Sequence, residues 1–244
     1  MRTFLACFIL SSAPFVSAQA VLELHGSTTV QGALEARHAE LEAAVGRKIE
    51  FSANGSSVGL ASLAAGQAQM AMISAPLDEV ANKLNAKNPG AIDVTQFRAA
   101  QIGLAKIAFI VNPRNPVRAL SAVQLAGVFT GKITNWKELG GGNSLIVVIT
   151  LANGGPLIPD ALLHGAPITL AARMVPNASQ IPGLVAQQPN AIGIISTAHV
   201  KGPTSLVQTD AEIAVPLFLV TKGEPNADAQ KLIAAARKLL GGPN

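Results

Sequence analysis

Three segments of this sequence have the residue types to hold an anion. Gly26-Ser27-Thr28-Thr29, Asn54-Gly55-Ser56-Ser57-Val58-Gly59 and Ser74-Ala75-Pro76 share one pattern. In each, an apolar run ends, small hydroxyl residues follow, and a helical pattern begins. The first backbone N–H groups of a helix have no partner within it, and the helix dipole leaves partial positive charge there. Ser and Thr side chains at the same place add neutral donors. Brought together, such segments bind a tetrahedral oxyanion without any Lys or Arg. Taken singly, each is also an ordinary helix cap, since Ser, Thr and Asn are the preferred residues there.

The second segment carries another possible chemistry. Gly55-Ser56-Ser57-Val58-Gly59 matches G-x-S-x-G, the strand-to-helix turn that presents the nucleophile of α/β-hydrolases. Ser57 would then be the nucleophile, with Asp160 and either His164 or His199 following in the required order. No HGGG-type oxyanion loop precedes the pattern, and so permissive a motif recurs by chance where Gly, Ser and Ala abound. The expectation is a protein that is not an enzyme. The histidines do not suggest a metal site either: His25 and His38 stand on different elements, and no H-E-x-x-H spacing occurs. His38 continues an apolar helical face and is expected at the edge of the core. No cofactor is expected.

The elements that must position these segments alternate between strand and helix. Val21 to Leu24 reads as a strand, and Val30, Leu34, His38, Leu41 and Val45 mark one helix stopped by Gly46. Strands are predicted over 48–52, 70–73 and 145–151, with a long apolar segment over 102–111 ended by Asn112-Pro113. Helices are predicted over 58–65, over 122–129 with Ser121 and Gln124 as a capping box, and over 182–188. Further strands at 191–196 and 215–220 precede a final amphipathic helix carrying Leu232, Ile233, Ala236, Leu239 and Leu240. The alternation argues for an α/β fold with largely parallel sheets, whose ligands bind beyond the carboxyl ends of the strands.

Composition narrows the function further. Charged residues make up 13% of the chain, the formal net charge is +4, and Lys and Arg form no stripe, so no nucleic-acid partner is expected. Tyr is absent and Trp136 is the only tryptophan, which leaves little to stack against sugars or bases. Arg2, the apolar stretch 3–15 and Ala18-Gln19-Ala20 read as a secretory signal peptide over residues 1–20. The run is short of the ~20 apolar residues that span a bilayer. Cys7, the only cysteine, would leave with it, so no disulfide or cysteine chemistry is expected in an exported chain. The expected location is periplasmic or secreted.

Several segments together resemble the phosphate-binding subunits of ABC importers, within the two-lobed periplasmic binding proteins. They are GSTTV at 26–30, NGSSVGLASLAAGQAQMAMISAPL at 54–77, IAFIVNPRNP at 107–116, LSAVQLAGVFTGKITNWKELGG at 120–141, NAIGIIS at 190–196 and VPLFLVTKGEPN near the end. FTGKITNW, Phe129 to Trp136, is the most specific. The resemblance implies a type II-like fold of two α/β lobes joined by two crossing strands, with mostly parallel sheets, flanking helices and a ligand cleft between the lobes. It implies a discontinuous first lobe of 21–107 plus 203–244 and a second lobe of 108–202. Its implied ligand is a small oxyanion, phosphate or similar, and its implied partner an ABC transporter permease that meets a monomer. Closure about a hinge would then present the loaded form.

Carried over residue by residue, the resemblance puts Ser27, Thr28 and Thr29 on the first anion loop, Ser56 and Ser57 on the second and Ser74 on the third. Two positions depart from the family's pattern. Ser74 stands where phosphate binders often carry Asp, and Ala75 where another branch carries Arg. In the second lobe, Leu151-Ala152-Asn153-Gly154-Gly155-Pro156 replaces the usual Arg and S-G-T, leaving Asn153, Gly154 and Gly155 as the expected donors. The alternative to transport is a sensor or surface-interaction module on the same fold.

Overall fold

A computed structural model describes residues 21–152, 160–163, 166–210 and 212–243. The expected signal peptide, residues 1–20, lies outside the described residues, as do Asn153, Gly154, Gly155 and His164.

The chain opens with β1 (Leu22–Gly26), α1 (Thr28–Glu35), α2 (His38–Val45), β2 (Ile49–Ala53), α3 (Ser56–Ala64), β3 (Met70–Ile73) and α4 (Leu77–Asn85). A long strand, β4 (Phe97–Val111), leads to α5 (Ala122–Thr130), β5 (Val147–Leu151), α6 (Asp160–Leu163), β6 (Arg173–Val175), α7 (Ile181–Gln187) and β7 (Ala191–Ser196). The return path is β8 (Ser205–Val207), β9 (Ala214–Lys222) and α8 (Ala227–Leu240).

These strands run in the order β2-β1-β3-β9-β4-β7-β5-β6, with β8 paired to β4. The βα units form parallel pairs, β1 with β2 and β3, and β5 with β6 and β7. β4 and β9 run antiparallel to their neighbours and join the two parallel sets. Along β4, Phe97–Lys106 pairs with β9 while Ile107–Val111 pairs with β7 and β8. One strand therefore passes between the two lobes, and the fold is the α/β, two-lobed architecture with flanking helices.

Sequence patterns place most elements within a residue or two. Met70–Ile73 and Ala191–Ser196 match their expected bounds, and Ser121 and Gln124 make both bonds of the capping box. One helix predicted over 30–45 is two, α1 and α2, separated at Ala36 and Arg37. Val30, Leu34, Leu41 and Val45 are all buried. Periodicity records which face is inward, and a bend that keeps this face inward leaves the pattern unbroken. His38 does sit at the core's edge: its Nε2 lies 2.9 Å from the Ile49 carbonyl oxygen and its ring rests against Phe51. β4 starts five residues before the predicted 102, because Phe97 to Gln101 pair with β9 despite a mixed apolar and polar pattern.

The core lies on both faces of these sheets. Leu24, Met70, Met72 and Leu219 are packed with Val30 and Leu34 of α1, while Ile73 and Val220 pack beneath Leu60 and Leu63 of α3. In the second lobe Ile110, Ile149 and Ile195 pack against Ile181 and Val185 of α7. Trp136 is buried and its indole N–H donates to the Asn190 carbonyl at 2.8 Å. Among the described residues no helix is long and apolar enough to cross a membrane.

Candidate functional site

The three hydroxyl segments meet at one place. β1, β2 and β3 are parallel neighbours, with Gly26 opposite Ala53 on one side and Met72 on the other, so their carboxyl ends lie side by side. Gly26 has φ of +136°, and a Cβ there would lie 2.1 Å from the Met72 carbonyl oxygen. Only glycine admits that conformation and that approach. The Gly26 carbonyl accepts from the N–H groups of Asn54 and Gly55, and the Ser27 N–H donates to Met72 at 2.8 Å. Backbone bonds thus tie the three loops together before any side chain is considered.

Side chains then link the loops in a directed chain. Ser27 caps α1, its Oγ accepting from the N–H groups of Thr29 and Val30. With both acceptor positions used, that hydroxyl spends its proton on Ser74 Oγ, 2.9 Å away. The Ser74 N–H donates to Ser56 Oγ at 3.2 Å. Ser56 and Ser74 each therefore keep a hydroxyl proton to offer outward. Ser27, Thr29, Ser56 and Ser74 are all buried, and the pocket they share with Thr28, Gly55, Leu151 and Pro176 has about 20 Å3 of space. None of these residues carries a formal charge.

The opposite wall is of another kind. Leu151 ends β5 and pairs in parallel with Val175 of β6, which Pro176 follows. Both residues turn an apolar surface to the pocket, and proline has no N–H to give. Pro176 was not foreseen in the sequence, because β6 is three residues long and mostly exposed and so has no apolar run to mark it. Asn153, Gly154 and Gly155, the donors expected on this wall, lie outside the described residues.

Ser57 is one residue past the pocket. It lines a separate hollow with Val58, Lys83 and Lys87, sharing only Gly55 with the hydroxyl pocket. His199 sits elsewhere, its imidazole against Gly32 of α1, and its Nδ1 is buried with no hydrogen-bond partner among the described residues. Burial holds this histidine below its ordinary pKa, with the nearby Lys201 charge adding to the effect. Ser57 and His199 thus line different cavities, and no nucleophile–base bond links them. The glycines of the G-x-S-x-G pattern have a structural explanation. Gly55 takes φ of +101° before α3, and a Cβ on Gly59 would fall 2.4 Å from Gly26 Cα, so α3 rests on β1 at the closest possible distance.

Comparison with known proteins places this geometry in a family. A PBP superfamily domain model matches residues 13–233. The phosphate-binding protein PstS of Bacillus subtilis (strain 168) is 29% identical over 140 residues, covering 54% of this chain and 44% of that protein. The matched stretch therefore spans less than half of that relative's length. Among solved structures, a putative phosphate ABC transporter substrate-binding protein with bound phosphate, from Clostridium perfringens, is 28% identical. It superposes with a TM-score of 0.74 over 88% of this chain and 92% of that one. An ABC-type phosphate transport receptor from Vibrio cholerae shares the fold at 21% identity, with a TM-score of 0.63 over 89% and 93% of the two chains.

Proposed function

The chain belongs to the PBP superfamily, and from that premise we propose that it is a solute-binding protein holding a small oxyanion, phosphate foremost, for an ABC-type importer. The observation that carries the proposal is the convergence of Ser27, Ser56 and Ser74 from three parallel strand ends, with the Ser27 hydroxyl donating to Ser74 and the Ser74 N–H to the Ser56 hydroxyl. The likeness to the Clostridium perfringens protein, whose structure contains phosphate, supports the choice of ligand. The protein acts by binding and release, as an exported monomer delivering its ligand to a permease.

Ligand capture rests on donors alone. The chain of bonds runs from backbone N–H groups through Ser27 to Ser74, so polarity points towards the ligand at each step. Such a pocket favours the more fully ionised oxyanion, whose oxygens only accept. Ser74, unlike a carboxylate, does not demand a proton from the ligand, so phosphate and sulfate are separated only weakly. Thr28 and Thr29 line the pocket beside these donors, while Ser57 stands one residue outside it. Asn153, Gly154 and Gly155 are assigned to complete the site from the second lobe.

The same proposal divides the chain into lobes of 21–107 plus 203–244 and of 108–202. The change of β4's partner at Ile107 supports the first junction. Because β8 pairs with Phe109–Val111 and β9 with Phe97–Lys106, strand pairing favours moving the second junction to between Val207 and Ala214. Isothermal titration and thermal shift with phosphate, sulfate and molybdate test the function. Heat and a raised melting temperature with phosphate are expected. A flat titration and an unmoved melting temperature with all three would sink the oxyanion proposal.

A further inference from the structure

The hydroxyl pocket borders a larger space, with which it shares one lining residue. Thr28 lines both it and a hollow of about 530 Å3, a volume in the range of small-molecule sites. Gln31 and Glu35 of α1 form one side of the hollow, and Asn177, Ser179, His199 and Lys201, which follow β6 and β7, form the other. Its walls belong to the same two strand-end sets that enclose the hydroxyl pocket. A ligand reaching past Thr28 would therefore touch both lobes.

The chemistry of these walls selects a class of ligand. The Gln31 and Asn177 amides and the Thr28 and Ser179 hydroxyls stand among small apolar residues, and the formal charges of Glu35 and Lys201 cancel, so a second anionic group gains nothing overall. Glu35 already accepts from the Gln31 amide at 3.1 Å. His199 is the only ring in the lining, and it is seated on α1 so closely that a Cβ at Gly32 would fall 2.2 Å from its Cε1. Held there, it cannot join a second ring in sandwiching a base. What remains is a mixed wall, in which the Gln31 and Asn177 amides and the Ser179 hydroxyl are placed to meet hydroxyl groups of a ligand.

We propose that the two cavities form one site for a phosphate monoester with a short hydroxylated tail. The phosphoryl group takes the Ser56 and Ser74 donors, and the tail passes Thr28 to meet Gln31, Asn177 and Ser179. This rests on the oxyanion function proposed above and names its ligand more closely.

Titration of the purified protein with inorganic phosphate, methyl phosphate, glycerol 3-phosphate and pyrophosphate tests it. Glycerol 3-phosphate is expected to bind about tenfold tighter than methyl phosphate, the value of one or two added hydrogen bonds. In a Gln31→Ala/Asn177→Ala protein that ratio should fall to about one, with methyl phosphate bound as before. Should the double variant melt early, Ser179→Ala alone is expected to lower the ratio about threefold. Equal binding of the two esters by the unmodified protein, or a preference for inorganic phosphate or pyrophosphate, overturns the tail site and leaves the oxyanion function standing. If no phosphate compound binds at all, both fall together.

Discussion

Two sets of parallel strand ends face the same cleft, and they meet it with opposite chemistry. On one side β1, β2 and β3 deliver Ser27, Ser56 and Ser74, buried and bonded into a chain that points its protons outward. On the other, β5 and β6 end in register at Leu151 and Val175, and what they present is Leu151 and Pro176. The strands pair in parallel in both sets, and the residues that follow them differ. An α/β strand end is therefore a position for a ligand, while the binding itself depends on the few side chains placed there. Here one wall gathers buried hydroxyls, and the described part of its counterpart is apolar.

The largest effect should come from disturbing the geometry of the polar wall. Gly26→Ala would place a methyl group against the Met72 carbonyl at a φ that alanine avoids. A loss of about 3 kcal/mol in urea unfolding is expected, with loss of oxyanion binding. A variant that melts and binds like the parent would show that the three loops do not depend on this close approach.

Next in size is Ser27→Ala, which removes the cap of α1 and the bond to Ser74 without touching the proposed ligand. Stability should fall by about 1.5 kcal/mol and phosphate affinity by about tenfold, read by chemical unfolding and by titration. Lost stability with unchanged affinity would mean that the hydroxyl chain supports the fold and does not orient the donors.

Altering the apolar wall should give a smaller change of the opposite sign. Pro176→Ser supplies an N–H and a hydroxyl where neither exists, and affinity for phosphate should rise about fivefold. No gain would show that the contrast between the walls does not limit binding.

The smallest effect is one of pH at the contact between lobes. His199 has its pKa lowered, first by burial and then by Lys201. The unfolded chain thus takes up a proton before the folded chain does. Stability should be unaffected by this group well above 6.5 and should fall as the pH drops through that value. Glu35 of α1 lines the same hollow. Melting temperatures measured between about pH 8 and 5, where histidine titrates, should depend less on pH for His199→Gln. An unchanged slope would assign the acid sensitivity to other groups.

Much of the fold could be read directly from the chain. Buried strands such as Met70–Ile73 and Ala191–Ser196 are uninterrupted apolar runs, and α5 announces itself through Ser121 and Gln124. The break between α1 and α2 left no trace, because both helices turn the same apolar face inward. β6 and β8 were invisible for a different reason: each is three residues long and held by its neighbours rather than by its own pattern.

For the site, sequence alone determined the residue types: uncharged hydroxyls and glycines after successive strands, with no aromatic platform and no cluster of cations. It could not tell a cap from a ligand donor, since the same Ser serves for both. Convergence was decided by the parallel register that sets Gly26 beside Ala53 and Met72, which brings residues up to 47 positions apart to within a hydrogen bond. Ser27 is a cap in the folded chain, and the proposal of Ser56 and Ser74 as donors rests on which lone pairs and protons remain unspent, a property of the assembled loops. Likewise only the folded chain shows Pro176 lining the same pocket and Thr28 shared with the larger hollow. Local patterns are written in neighbouring residues, whereas a binding site is a meeting of distant ones.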